Sequence, residues 1–97
     1  MPRTLVHDKA AESDLIGIWV YSFETWGEAQ ADRYLNALEH GIREVAENPT
    51  GGESRHQLRE GYRSKSIGHH VVFYTFNEAE VRIRRVLHEV MDMNRHL

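Results

Sequence analysis

Ala11, Leu15, Ile18, Ser22 and Trp26 recur at spacings of three and four, and Trp19 and Phe23 widen the stripe they form. That period predicts an amphipathic helix over residues 9–25. Asp8 stands just before it as the expected N-cap, its carboxylate placed to accept free backbone N–H groups of the first turn. Trp26-Gly27 interrupts the pattern. A second stripe then runs through Ala31, Leu35, Leu38, Ile42 and Val45, flanked by Tyr34 and Ala46, and predicts a helix at about 28–47. Asn48-Pro49 ends it, because the residue before proline is pushed out of the α region, and Thr50-Gly51-Gly52 prolongs the break. So short a connection between the helices makes them an antiparallel hairpin.

Elsewhere the period is two. Arg3 to Val6 is a short strand candidate. Residues 51–61 are polar and aperiodic, an exposed loop or a short helical turn around Gln57-Leu58-Arg59. Tyr62 to Ile67 and the β-branched, aromatic run Val71 to Phe76 are strands, with Gly68 closing the turn between them. Asn77 to Glu80 forms the next hairpin loop, and Val81 to His88 is the last strand. Its alternation slips at Arg84-Arg85, which points to a bulge. The expected order is β-α-α-β-β-β: an α+β fold with the helical hairpin packed on one face of a mainly antiparallel sheet. A chain of 97 residues fits one core, so residues 1–97 are read as a single domain. In that core Leu38 and Ile42 should face Leu15 and Trp19, with Trp19, Phe23 and Trp26 as aromatic anchors.

Composition adds exclusions. The absence of cysteine removes disulfides, thiolate catalysis and Cys-ligated zinc, and is compatible with a reducing cytosol. No apolar run approaches the roughly 18–20 residues of a membrane span, and Met1 to Asp8 carries no signal-peptide core, so a cytoplasmic protein without membrane attachment is expected. The net charge of −3 is uneven: residues 1–51 carry 4 basic and 9 acidic side chains, residues 52–97 carry 8 and 6. A chain of pI about 6.1 is a poor general binder of phosphate backbones, and no sequence-specific DNA binding by it alone is expected.

Candidate chemistry is sparse. His69, His70 and His88 approach one another if the last two strands pair, with Glu89 adjacent, and imidazole and carboxylate are zinc ligands. Successive strand residues point to opposite faces, however, and no HExxH-type helix fixes two ligands, so these read as surface or edge histidines and no metal is assigned. Glu24, Glu28, Asp32, Glu39, Glu44 and Glu47 lie off the apolar stripes and form no acid/base pair. The serines lack a GxSxG turn, and the glycines form neither GxGxxG nor a Walker A loop, so no cofactor is expected. Arg63, Lys65, Arg82, Arg84 and Arg85 fall on neighbouring strands: either a charged solvent face, or a basic surface for RNA phosphates or an acidic protein.

Taken together, Asp14-Leu15-Ile16-Gly17-Ile18-Trp19, Trp26-Gly27-Glu28-Ala29-Gln30-Ala31, Tyr34-Leu35 and Asn48-Pro49 begin an ordered set of segments. Leu58-Arg59, Tyr62-Arg63-Ser64 and Gly68-His69-His70-Val71-Val72-Phe73-Tyr74 continue it, and Arg85-Val86-Leu87-His88-Glu89, Met91-Asp92 and Arg95-His96-Leu97 end it. In this order and spacing, over nearly all of residues 5–97, the chain resembles the ParE toxins of the RelE/ParE superfamily, from bacterial type II toxin–antitoxin pairs. The resemblance implies the same β-α-α-β-β-β plan, poisoning of DNA gyrase with arrest of replication, and neutralisation by a ParD-like antitoxin.

The RelE branch instead cleaves messenger RNA on the ribosome, using basic residues on the middle strands and a late arginine and tyrosine. Arg63 and Lys65 match its first basic pair loosely, and His70 stands near the next. Glu89 occupies the place of the late arginine, and no tyrosine follows Tyr74. The resemblance therefore implies a gyrase-binding toxin rather than a catalyst, with no catalytic residue transferred. A RelE-like endoribonuclease and a non-toxic interaction module are the alternatives. Target contact is expected on Arg84, Arg85, His88, Met91, Met93, Arg95 and Leu97, where cations stand beside adaptable apolar side chains, with Arg63, Lys65 and Arg82 as the basic sheet face. The antitoxin is expected over the helical hairpin and the sheet edge.

Overall fold

The computed structural model describes residues 2–91 and 93–97; Met1 and Asp92 lie outside the described residues, so the Met91-Asp92 segment is followed only through Met91. The elements are β1 (Thr4–His7), α1 (Lys9–Trp26), α2 (Glu28–Glu47), a 3-10 turn (Pro49–Gly51), β2 (Glu53–Ser54), β3 (Arg63–Ile67), β4 (His70–Phe76), β5 (Glu80–His88) and a final turn of helix, α3 (Met93–His96). The strands form one sheet in the order β1-β5-β4-β3-β2, antiparallel except for the β1–β5 pair. This is the expected α+β arrangement with the addition of β2, two residues paired with β3 inside what was expected to be a loop.

Gly27 is the whole connection between α1 and α2. Its φ of 90° suits glycine; its N–H closes α1 on the Phe23 carbonyl, and its own carbonyl accepts the Ala31 N–H of α2. The hairpin packs on the sheet through a core of Ala11, Ile42, Val45, Val72, Tyr74, Val81, Ile83 and Val86. On the opposite face Val71, Phe73 and Leu87 form a second cluster, covered by Leu58 and Tyr62 and by Met91, Met93 and Leu97 of the C-terminal segment. Burial on both faces explains why β4 reads as a continuous apolar run rather than an alternation. The buried Tyr74 hydroxyl donates to the Pro49 carbonyl at 2.6 Å, tying the end of α2 to the sheet.

The bulge falls where the alternation slips. Phe73 pairs with Arg85 and Tyr74 with Ile83, leaving Arg84 as the extra residue. β1 covers the edge of β5 only as far as Ile83. Beyond it the Asp14 carboxylate of α1 takes over, accepting the Val86 N–H at 2.9 Å and gripping the Arg85 guanidinium at 2.8 and 2.9 Å. A side chain thus satisfies backbone that the strand leaves open.

Two expectations are overturned. Asp8 sits at the start of α1, but its side chain caps no backbone N–H; its carboxylate is drawn instead to Arg82 at 3.0 Å and Arg84 at 3.2 Å. Burial alone would raise the Asp8 carboxyl, yet hydrogen bonds and charge from the two guanidiniums carry it below the ordinary carboxylate range. The aromatic anchors are not in the core either: Phe23 and Trp26 are exposed, and Trp19 stacks on Phe23 at 5.2 Å while its indole N–H donates to Asp32. Helical spacing put these rings on the apolar side of α1, but that side is wider than the sheet can cover. No helix among the described residues is long and apolar enough to cross a membrane.

Candidate functional site

The uncovered part of α1 forms one wall of a groove of about 910 Å³. Tyr21 and Trp26 stand on that wall, edge to face at 5.9 Å. Gln30, Arg33 and Tyr34 of α2 form the opposite wall, and the β3–β4 turn with the end of β5 closes the inner end through His69, His70 and His88. Gly68 shapes that end. With φ at 59° it makes the tight turn, and a Cβ there would meet the Tyr34 hydroxyl at 2.8 Å, so the missing side chain lets the phenol lie against the turn.

Hydrogen bonds fix the protons of this cluster. The Tyr34 oxygen accepts the His69 backbone N–H at 3.0 Å and lies 2.6 Å from His70 Nδ1. Burial raises the phenol above its ordinary range, the His69 N–H offsets part of this, and the Glu89 charge adds to it, so Tyr34 keeps its proton and donates to His70 Nδ1. Burial, reinforced by the neighbouring His88 and His69, lowers His70 to about 4. It is therefore neutral near pH 7 with its hydrogen on Nε2. His88 Nδ1 accepts the Val90 N–H at 3.2 Å, which places the hydrogen of the neutral ring on Nε2 as well. The two rings meet at right angles, centroids 5.2 Å apart. His69 pairs with Glu89 at 3.2 Å in an exposed contact.

The three histidines and Glu89 thus converge as sequence reasoning allowed. The opposite-face argument fails, because His69 lies in the turn before β4 and shares the groove with His70. No group of three or more His, Asp or Glu among the described residues is placed to hold a metal ion. Sequence reasoning missed Arg33 and gave Tyr34 only a flanking role. The signal for Tyr34 was a phenol on the helix flank paired with a glycine turn far along the chain, which only the fold brings together.

The expected basic face is largely spent within the chain. Arg82 binds Glu80 and Asp8; Arg84 binds Asp8 and Thr75; Arg85 binds Asp14 and the His96 carbonyl. Arg63 donates to the Thr50 and Gly52 carbonyls while its Nε is buried without a partner. Lys65 is exposed at the far side of the sheet, near Glu44 and Glu47. Strand spacing showed where these cations emerge but not the carboxylates that the β1–α1 junction brings to them. Of the C-terminal candidates, Met91, Met93 and Leu97 pack on the outer cluster, His88 faces the groove, and Arg95 is exposed, as is Val90 earlier in the same segment.

A family model for the ParE toxin of the type II toxin–antitoxin system parDE matches residues 5–93. The chain is 43% identical over 89 residues to the toxin ParE1 of Caulobacter vibrioides, covering 92% of both chains. It is 40% identical over 89 residues to the toxin ParE1 of Mycobacterium tuberculosis, covering 91% of both. It is 36% identical to the toxin ParE of Escherichia coli over 84 residues, 86% of this chain and 82% of that one. In structure it matches a chain of a chromosomal ParDE toxin–antitoxin system from P. aeruginosa with a TM-score of 0.80, covering 90% of this chain and 96% of that one at 16% identity.

Proposed function

We propose, from the premise that this chain belongs to the ParE toxin family and is the toxin component of a type II toxin–antitoxin system, that it inhibits DNA gyrase and is neutralised by a ParD-like antitoxin. The observation that carries the antitoxin half is the groove, whose wall leaves Tyr21 and Trp26 open on a helix that its own core does not cover. A partner that lays an apolar helical face there recovers the hydrophobic free energy that the folded chain forgoes. The antitoxin keeps the toxin inactive in the bacterial cytoplasm, where gyrase works.

For the gyrase half, Val90 and Arg95 are the contact residues, on the segment after β5. Met91, Met93 and Leu97 hold that segment to the sheet. The internal pairing of Arg82, Arg84 and Arg85 favours a protein target over RNA, since a guanidinium already held by carboxylates is a weak phosphate ligand. Gyrase supercoiling and cell-free translation assays on the purified protein test the reading. The expected result is inhibited supercoiling, restored by the antitoxin, with translation untouched. Val90→Ser with Arg95→Glu should abolish inhibition while melting unchanged. Inhibited translation instead would transfer the chain to the endoribonuclease alternative, and inhibition of neither would leave the interaction module.

A further inference from the structure

We infer that the inner end of the groove is a receptor for one carboxylate on the docked antitoxin segment, with the Nε2–H groups of His70 and His88 and the Arg33 guanidinium as its donors. This rests on the reading of the groove as the antitoxin site.

Both rings are oriented from behind. Tyr34 holds His70 by Nδ1 and the Val90 N–H holds His88 by Nδ1, so each Nε2 is left as a donor. Among the described residues neither Nε2 has an acceptor and neither is sealed from solvent. A docked segment that excluded water without supplying an acceptor would leave two buried N–H groups unsatisfied, at a loss comparable to the hydrogen bonds themselves.

The charges decide which acceptor fits. Asp14, which lines the groove, is gripped by Arg85, and Glu89, outside the lining, pairs with His69. Arg33, on the α2 wall and preceding Tyr34 in the chain, bonds among the described residues only the neutral amide oxygen of Gln30 at 2.9 Å. Tyr34, raised by burial, brings no charge. Among the described residues the groove therefore holds one cation without a carboxylate and two imidazole N–H donors. A carboxylate matches that set, since it accepts from several donors and forms strong charge-assisted hydrogen bonds with a guanidinium. Because the occupant is a protein segment, the group is an aspartate, a glutamate or the chain's terminal carboxylate.

The probe is the ParD-like antitoxin of the proposed pair, purified after co-expression, with its affinity measured by calorimetry. Arg33→Gln and His88→Phe should each weaken it about tenfold or more, the usual range for a hydrogen bond to a charged group. Both should melt within a few degrees of the parent, since neither residue holds a carboxylate in the free chain. Amide replacement of the antitoxin's acidic residues one at a time, with amidation of its terminus, should expose one position that loses a similar factor against the parent and little further against Arg33→Gln. Trp26→Ala provides the separation. If it weakens binding while Arg33→Gln, His88→Phe and every amide replacement bind as before, the groove is the antitoxin site and the carboxylate receptor is wrong. If Trp26→Ala also binds as before, the groove reading falls and the receptor with it.

Discussion

The two helices of the hairpin are opposites in composition and in placement. α1 has four Asp, Glu, Lys or Arg residues among eighteen, whereas α2 has seven among twenty, yet α2 buries Ala31, Leu38, Gly41, Ile42 and Val45 while α1 buries only Ala11 and Ser22. The more apolar helix is the more exposed: Ile16 is 65%, Tyr21 64% and Trp26 62% open to solvent. The polar helix is amphipathic in the ordinary way and docks by its narrow stripe. α1 carries more apolar surface than the fold buries; it docks through Ala11, Leu15 and Ile18 and is also tied by carboxylates, Asp8 just before it and Asp14 within it, reaching the arginines of β5. One helix serves the core. The other carries an exposed apolar face of the kind that the proposed antitoxin contact would cover.

The sharpest way to break this contrast is to shorten one side chain on each helix. Leu38→Ala removes a fully buried side chain from α2 and should lower stability by roughly 2–5 kcal/mol. Ile16→Ala on α1 should change it by less than about 0.5 kcal/mol. Urea denaturation of the two variants measures both, and equal midpoints would mean that α1 and α2 contribute alike.

Next in size comes the ionic attachment of α1. Asp14→Ala strips the two carboxylate hydrogen bonds from the Arg85 guanidinium, leaving the one to the His96 carbonyl, and removes the acceptor from the Val86 N–H. A half-buried guanidinium without its carboxylate should cost about 2–3 kcal/mol. The loss should shrink when the measurement is repeated at high salt. If instead the loss is independent of salt, Asp14 acts through packing or the backbone bond alone.

What could be read from the sequence divides along the same line. The bounds of α2, the hairpin turn at Gly27 and the bulge at Arg84 were legible because each depends on local rules: period, glycine and interrupted alternation. The parallel β1–β5 pair, the capture of Asp8 by Arg82 and Arg84, and the Tyr34–His70 contact join residues 36 to 76 positions apart, and no local pattern encodes them. The misplacement of Trp26 and Phe23 has a different cause. Periodicity reports that a face is apolar, not what covers it, so a helix whose apolar face stays open to solvent reads as a core helix.

A smaller effect tests the polar link between α2 and the sheet. Burial disfavours the charged form of His70 in the folded protein, lowering it to about 4, while an unfolded chain takes the proton near 6.5. The depressed value means that the unfolded state binds the proton first as pH falls. Its contribution is fully present above about pH 6.5 and is lost between there and about pH 4, on the order of 1–2 kcal/mol once solvent screening is discounted. Asp8 acts in the same direction at lower pH, its stabilisation present above the ordinary carboxylate range and lost as pH falls through it. Melting curves across pH 4–7.5 should therefore decline for the parent and flatten in the upper part of that range for His70→Gln. An unaltered slope in the variant would assign the decline to other groups.

The smallest expected change in the fold belongs to the residue on which the comparison rests most. Tyr21 projects from α1 into the groove, 64% exposed, and its ring touches Trp26 edge to face. Tyr21→Ala should leave the urea midpoint within the scatter of surface substitutions, about 0.5 kcal/mol. If α1 is apolar because a partner covers it, the same variant should lose roughly 2 kcal/mol of antitoxin affinity, near thirtyfold, as aromatic anchors at the centre of an interface commonly do. A helix apolar merely by drift would show neither loss. One that served the core would show the first without the second. Measuring midpoint and affinity on the same preparation distinguishes the three, because only a partner-facing helix separates stability from binding in that direction.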